Sequence, residues 1–109
     1  MSVQEMIYSQ MNHFFDKSTD QNGEVSYDTV IEIACWTAAY MIRQRHLQTQ
    51  DVSQDEMQLV LGTIGNSCKE NFGDDFTQED FEVISKRTLE LFQSPSFDTD
   101  ARDFFGKFY

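Results

Sequence analysis

Residues 18–29 read STDQNGEVSYDT and carry the oxygen donors that a calcium ion prefers. Ser18, Asp20 and Asn22 alternate along the chain, and Gly23 follows where the backbone can turn sharply. Hydroxyl, carboxylate and amide oxygens at this spacing can converge on one cation. The same stretch also holds the ingredients of a tight turn followed by a helix start.

This pattern resembles the calcium loop of EF-hand proteins, with Gly23 at the turn position and Ser26 at the ninth position. The resemblance implies a calcium-responsive helical module. The chain departs from it at both strongly anionic positions, because Ser18 stands where Asp is usual and Thr29 stands where a bidentate Glu is needed. We therefore predict a turn and a helix cap rather than a metal site, and keep the calcium module as an alternative.

The two cysteines and two histidines are the remaining residues suited to nucleophilic or zinc chemistry. Cys35 and Cys68 lie in apolar segments without CxxC spacing, which favours buried free thiols over a disulfide. His46 ends a predicted helix, where a positive charge suits the helix dipole, and His13 flanks an apolar helix face. Glycine-rich phosphate motifs are absent from the sequence. We predict no catalytic site, no metal and no cofactor.

Acidic residues cluster at the starts of the third and fourth predicted helices and are candidates for binding a partner. Together they would form a broad negative surface that attracts and steers a basic protein. Two well-capped, solvated helix starts are the alternative interpretation. The candidates are Asp51, Asp55 and Glu56 at the third helix, and Asp74, Asp75, Glu79, Asp80 and Glu82 at the fourth.

A second candidate surface is a stripe on the predicted second helix. Glu32, Trp36, Tyr40 and Arg43 follow one another at spacings of four and three, opposite an apolar face. Trp, Tyr and Arg are typical interface anchors. The stripe is either exposed to a partner or covered by the aromatic tail RDFFGKFY, and the sequence leaves both possibilities open.

Helix starts and stops place these side chains. Ser2, Ser26, Ser53 and Thr77 have the character of N-caps, and the pairs Ser2–Glu5 and Ser53–Glu56 suggest capping boxes. Apolar periodicity between these starts and the stop signals predicts an all-α fold: one domain over residues 1–109, a compact bundle of four helices plus a short C-terminal helix. The predicted helices cover residues 3–15, 27–46, 54–72 and 78–93, with the short helix after Thr99.

Composition limits the partners. Nineteen acidic against eight basic residues give a net charge of −11, which disfavours nucleic acid and anionic membranes. The first residues lack the pattern of a signal peptide, and the most apolar run, residues 33–42, is too short to span a bilayer. We predict a cytoplasmic protein whose partner is a basic protein.

A small, acidic, helical chain without catalytic residues resembles bacterial immunity proteins and phage-encoded inhibitors that mimic the charge of nucleic acid. That likeness of class implies a non-catalytic inhibitor that occludes a basic, nucleic-acid-acting protein such as a nuclease toxin. Two alternatives remain: the calcium-responsive module, and a homo-oligomeric assembly subunit that associates through the stripe around Trp36.

Overall fold

The computed structural model describes residues 2–46 and 49–108, and helices dominate this part of the chain. The described residues form no β-strand. The predicted all-α bundle of four helices with a short C-terminal helix is confirmed. The helices are α1 (Val3–Ser18), α2 (Tyr27–Arg43), α3 (Gln54–Phe72), α4 (Gln78–Gln93) and α5 (Phe97–Gly106), with 3-10 turns at Thr49–Asp51 and Gly73–Asp75.

The four predicted N-caps are confirmed. In each, the side-chain oxygen of Ser2, Ser26, Ser53 or Thr77 accepts a hydrogen bond from the N–H three residues later, at 3.1 to 3.3 Å. These bonds satisfy backbone donors that a helix start would otherwise leave unpaired.

The two predicted capping boxes are wrong, because among the described residues neither Glu5 nor Glu56 accepts a hydrogen bond from the N–H of its N-cap serine. The Glu56 carboxylate pairs instead with Arg45 and His46. A complete box forms at Thr77, where the Asp80 carboxylate accepts the Thr77 N–H at 2.9 Å.

Three predicted helix boundaries shift. α1 continues to Ser18 instead of ending at residue 15, α2 ends at Arg43, and α5 begins at Phe97 instead of after Thr99. His46 therefore lies beyond the end of α2 rather than within it, and turns to Glu56 across the connection to α3. The bounds of α3 and α4 agree with the prediction.

α2 is the central helix of the bundle, as its apolar sequence predicts. Eleven of its seventeen residues are buried, and it packs against α1, α3 and α4. Gly65 of α3 permits the close approach of α4, since a Cβ there would lie 2.9 Å from the Phe81 ring. The first turns of α4 therefore pack closely against α3 at Gly65.

One end of the bundle brings together the end of α1, the start of α2, the end of α3 and the start of α4. The Phe15 and Phe72 rings meet edge to face at 5.2 Å, joining α1 to α3. The Tyr27 hydroxyl meets Asp80 at 2.5 Å, joining α2 to α4. Within the described ranges, no helix combines the length and apolar character needed to cross a bilayer.

Candidate functional site

The two predicted groups of acidic residues lie at opposite ends of α3. Asp51, Asp55 and Glu56 lie at its start, whereas Asp74 and Asp75 follow its end. A helix of nineteen residues is about 28 Å long, well beyond the distance over which exposed charges reinforce one another. The prediction that the two groups form one broader negative surface is therefore wrong.

The acids at the start of α4 instead face those of the loop between α1 and α2. Residues 16–28 and 69–82, which we name the acidic end, hold ten acidic side chains and two lysines, a net charge of −8 out of the chain's −11. None of the ion pairs among the described residues involves an acid of this end. Its negative charge is therefore largely uncompensated.

Asp80 is an exception within the acidic end, because its carboxylate is occupied. One oxygen accepts the Tyr27 hydroxyl at 2.5 Å and the other accepts the Thr77 N–H at 2.9 Å. The hydrogen bond from Tyr27, followed by that from Thr77, lowers the pKa of Asp80, and the same bond to Asp80 raises the pKa of Tyr27. Asp80 is 9% exposed, so its prediction as a surface contact is wrong. It joins the starts of α2 and α4.

Tyr27 is a candidate that the sequence reasoning missed. Its hydroxyl is fixed by Asp80 while 55% of the residue remains exposed. Val83, about one turn after Asp80 on α4, is 48% exposed. An aromatic ring and an aliphatic side chain thus stand among the carboxylates. The pairing could not be found from spacing, because 53 positions separate Tyr27 from Asp80.

Six of the acids predicted at the two helix starts are exposed. Asp74, Asp75, Glu79 and Glu82 belong to the acidic end, whereas Asp51 and Asp55 lie at the other end of the bundle with Glu56. Glu56 is only partly exposed and receives hydrogen bonds from Arg45 at 3.0 Å and His46 at 2.6 Å. Burial raises its pKa, but the bonds from His46 and Arg45 outweigh burial and lower it.

The stripe on α2 is covered by α5, which decides between the two possibilities left open by the sequence. Trp36 is 8% exposed and stacks on Phe97 at 5.7 Å and on Phe104 at 5.4 Å. Its Nε1 donates to Glu32 at 2.9 Å, and Tyr40 packs against Phe105. Trp36 is therefore not an exposed anchor, and a partner or second copy would have to displace α5 to reach it.

Arg43, the last member of the stripe, is bound at the same face. Its guanidinium lies over the rings of Phe92 and Phe97 at 5.7 and 5.6 Å, and it donates to the Phe92 carbonyl at 3.4 Å. Asp98 lies 3.7 Å away. These contacts tie the end of α2 to α4 and to the start of α5.

The loop at residues 18–29 forms the predicted turn and cap. Asp20 Oδ1 accepts the N–H groups of Asn22 and Glu24 at 2.8 and 3.0 Å, and Gly23 has a φ of 79°. Ser26 then caps α2. Among the described residues, no group of three or more His, Cys, Asp and Glu side chains is placed to hold a metal ion. Calcium responsiveness stays an untested prediction.

Cys35 and Cys68 are buried free thiols, as predicted. Burial raises the pKa of each to about 12. Both therefore stay protonated at neutral pH, a state that suits core packing and not nucleophilic attack.

No protein-family model, no curated protein and no solved structure matches this chain.

Proposed function

We propose that this chain is a cytoplasmic, non-catalytic binding module that holds a basic protein against its acidic end. The partner class that fits is a nucleic-acid-acting protein, such as a nuclease toxin, whose phosphate-binding surface would be occluded. The observation that carries the proposal is the concentration of charge: ten acids and two lysines at one end, without ion pairs among the described residues to neutralise them.

The mechanism is electrostatic mimicry. Exposed carboxylates present negative charge where a basic groove would otherwise meet phosphate oxygens. Charges within about 8 Å of one another add their fields at physiological salt, so a cluster steers a basic partner better than the same charges dispersed. A strongly negative surface also repels phosphate backbones, which favours a protein partner over nucleic acid.

Tyr27 supplies an aromatic contact that exposed carboxylates cannot provide. Binding energy at interfaces concentrates on a few aromatic or arginine side chains, while peripheral charges mainly set the rate of encounter and specificity. The hydrogen bond to Asp80 holds the exposed ring in place before a partner arrives, so less conformational entropy is lost on binding. Tyr27 thus serves as the proposed aromatic anchor.

The test compares two variants with the same change in net charge. One neutralises the acidic end (D74N/D75N/E79Q/E82Q), and the matched control neutralises exposed acids elsewhere (D51N/D55N/E90Q/D103N). The partner is captured at low salt from cells that produce this protein, identified, and titrated with each variant by calorimetry. We expect the first variant to weaken binding by about 10- to 100-fold and the control by about threefold or less.

Equal losses in the two variants would show that net charge, not the acidic end, determines binding. A captured partner that is not basic, or whose binding does not weaken as salt rises, would contradict electrostatic mimicry. Failure to capture any partner at low salt would also count against the proposal.

A further inference from the structure

A half-open pocket of about 720 Å³ lies where α5 crosses the second half of α2 and the middle of α1. Four aromatic residues contribute to its lining: Phe14, Tyr40, Phe97 and Phe105. The volume is within the range of small-molecule sites, which combine apolar walls with a few polar groups. The pocket is therefore a candidate ligand site that the proposed function does not use.

Buried rings support the aromatic wall of this pocket. Phe14 and Phe97 are each 1% exposed and belong to the core, whereas Tyr40 and Phe105 are only partly buried. The Phe105 ring stacks on Phe14 with centroids 5.4 Å apart and meets the Tyr40 ring edge to face at 5.2 Å. These contacts hold the two accessible rings in place before a ligand arrives, so little side-chain entropy would be lost on binding.

The charged residues of the lining do not favour a charged ligand. Arg43 is already engaged by the Phe92 carbonyl, by two aromatic rings and by Asp98. Asp98 and Arg102 carry opposite charges, and both are exposed to water, where charges interact only weakly with a neighbour. An uncharged ligand would leave the contacts of Arg43 in place.

The lining also contains uncharged polar side chains. Gln10, Tyr40 and Gln44 contribute amide and hydroxyl groups, which can both donate and accept hydrogen bonds. An aromatic ring that carries a hydroxyl group matches this lining, because its polar group can pair with a neutral side chain while its faces contact other rings.

We propose that this pocket binds a small, flat, uncharged aromatic molecule. The ligand would pack against the partly exposed rings of Tyr40 and Phe105, which line the pocket together with Ala101. Aromatic pairs gain attraction beyond the area that they bury, so flat rings should be preferred over saturated rings of similar size. The site is separate from the proposed partner surface, because Tyr40 is about 20 Å along α2 from Tyr27.

The probe is 2-naphthol, and its control is decahydro-2-naphthol, which has the same carbon skeleton and hydroxyl group but no flat rings. Each is titrated into the isotope-labelled protein and followed by the backbone amide NMR signals. We expect 2-naphthol to shift the signals of Tyr40, Ala101 and Gly106, with an affinity at least about threefold above that of the saturated control.

Two further titrations separate this site from charge effects and from the proposed function. The carboxylate analogue, 2-naphthoate, should bind no more tightly than 2-naphthol. The D74N/D75N/E79Q/E82Q variant should bind 2-naphthol as the unmodified chain does, because the proposed function depends on the acidic end and this site does not.

Two glycine variants give the decisive comparison. Gly106 lines the pocket, and a Cβ there would meet nothing within 4 Å, so Gly106→Leu adds a side chain at the pocket wall. It should lower the affinity for 2-naphthol by about tenfold or more. Gly62→Leu makes the same change in α3, where a Cβ also has open space outside the pocket lining, and should alter binding by less than about twofold. Circular dichroism would verify that both variants keep their helices.

Four results would each overturn the proposal. The first is the absence of shifts at low millimolar 2-naphthol. The second is equal affinity for 2-naphthol and its saturated control, which would indicate general hydrophobic attraction. The third is tighter binding of 2-naphthoate, which would indicate a charged ligand. The fourth is an equal effect of the two leucine variants, which would place the binding outside this pocket.

Discussion

At the acidic end, exposed carboxylates crowd around the starts of α2 and α4, and a polar bond between Tyr27 and Asp80 joins the two helices. In the second region, α5 packs on α2 through stacked rings, and Trp36 contacts both Phe97 and Phe104. The first region leaves its carboxylates without ion pairs among the described residues. The second buries aromatic rings and holds Arg43 against two of them and against the Phe92 carbonyl. The face that α5 covers is thus distinct from the acidic end that we propose for recognition.

The largest effect should come from the α5 face. Phe97→Ala removes a ring that is 1% exposed and supports both Trp36 and Arg43, and should cost about 3–5 kcal/mol in urea unfolding. Val83→Ala, at an exposed apolar position next to the acidic end, should change stability by less than about 0.5 kcal/mol. Similar costs for the two variants would abolish the contrast between the regions.

A smaller loss of stability should follow from a substitution where α4 packs on α3. Gly65→Ala would place a Cβ 2.9 Å from the Phe81 ring and should cost about 1–3 kcal/mol in thermal unfolding. Gly62→Ala is the matched control in the same helix, because its Cβ would meet open space. That control should gain about 0.5–1 kcal/mol from reduced backbone freedom. Stabilisation by both substitutions would show that α4 does not pack closely on Gly65.

The smallest of the three effects should come from the polar link, and it should depend on pH. Tyr27→Phe removes a hydrogen bond to a carboxylate and should cost about 1–2 kcal/mol at pH 7, measured by urea unfolding. The folded state lowers the pKa of Asp80 below its ordinary 3.8, so its contribution is present above that pH and is lost as pH falls through the folded value. The difference between Tyr27→Phe and the unmodified chain should therefore fade in acid.

Tyr8→Phe is the control for this substitution, since Tyr8 forms no hydrogen bond with the described residues through its hydroxyl. It should leave stability unchanged at both pH values. A Tyr27→Phe cost that persists undiminished once Asp80 is protonated in the folded protein would mean that the ring, not its bond to ionised Asp80, stabilises the helix starts.

Local signals predicted much of the fold. Ser and Thr caps, Gly73 and Pro95 act on neighbouring backbone, so the bounds of α3 and α4 could be derived without tertiary information. The end of α2 could not be derived in this way, because His46 lies beyond the helix and binds Glu56, ten positions away. Periodicity identified the two faces of α2, but it carries no information about which segment covers the Trp36 stripe.

The candidate site was predicted only in part, for a related reason. Clusters of acids are visible in the sequence, but their grouping depends on helix direction and length. Asp51 is closer to Asp74 in sequence than Asp20 is. In the fold, however, α3 separates Asp51 from Asp74, whereas Asp20 and Asp74 lie at the same end of the bundle. Asp80 was counted as a surface charge because its partner, Tyr27, is 53 positions away.

The contact between α5 and α2 has a spectroscopic consequence. Trp36 is the single tryptophan of the chain, and it lies beneath α5 with its indole nitrogen bonded to Glu32. Its emission is therefore sensitive to the packing of the C-terminal helix on α2, without an added label. A shift to longer wavelength while helix content is unchanged would record α5 lifting from an otherwise intact bundle.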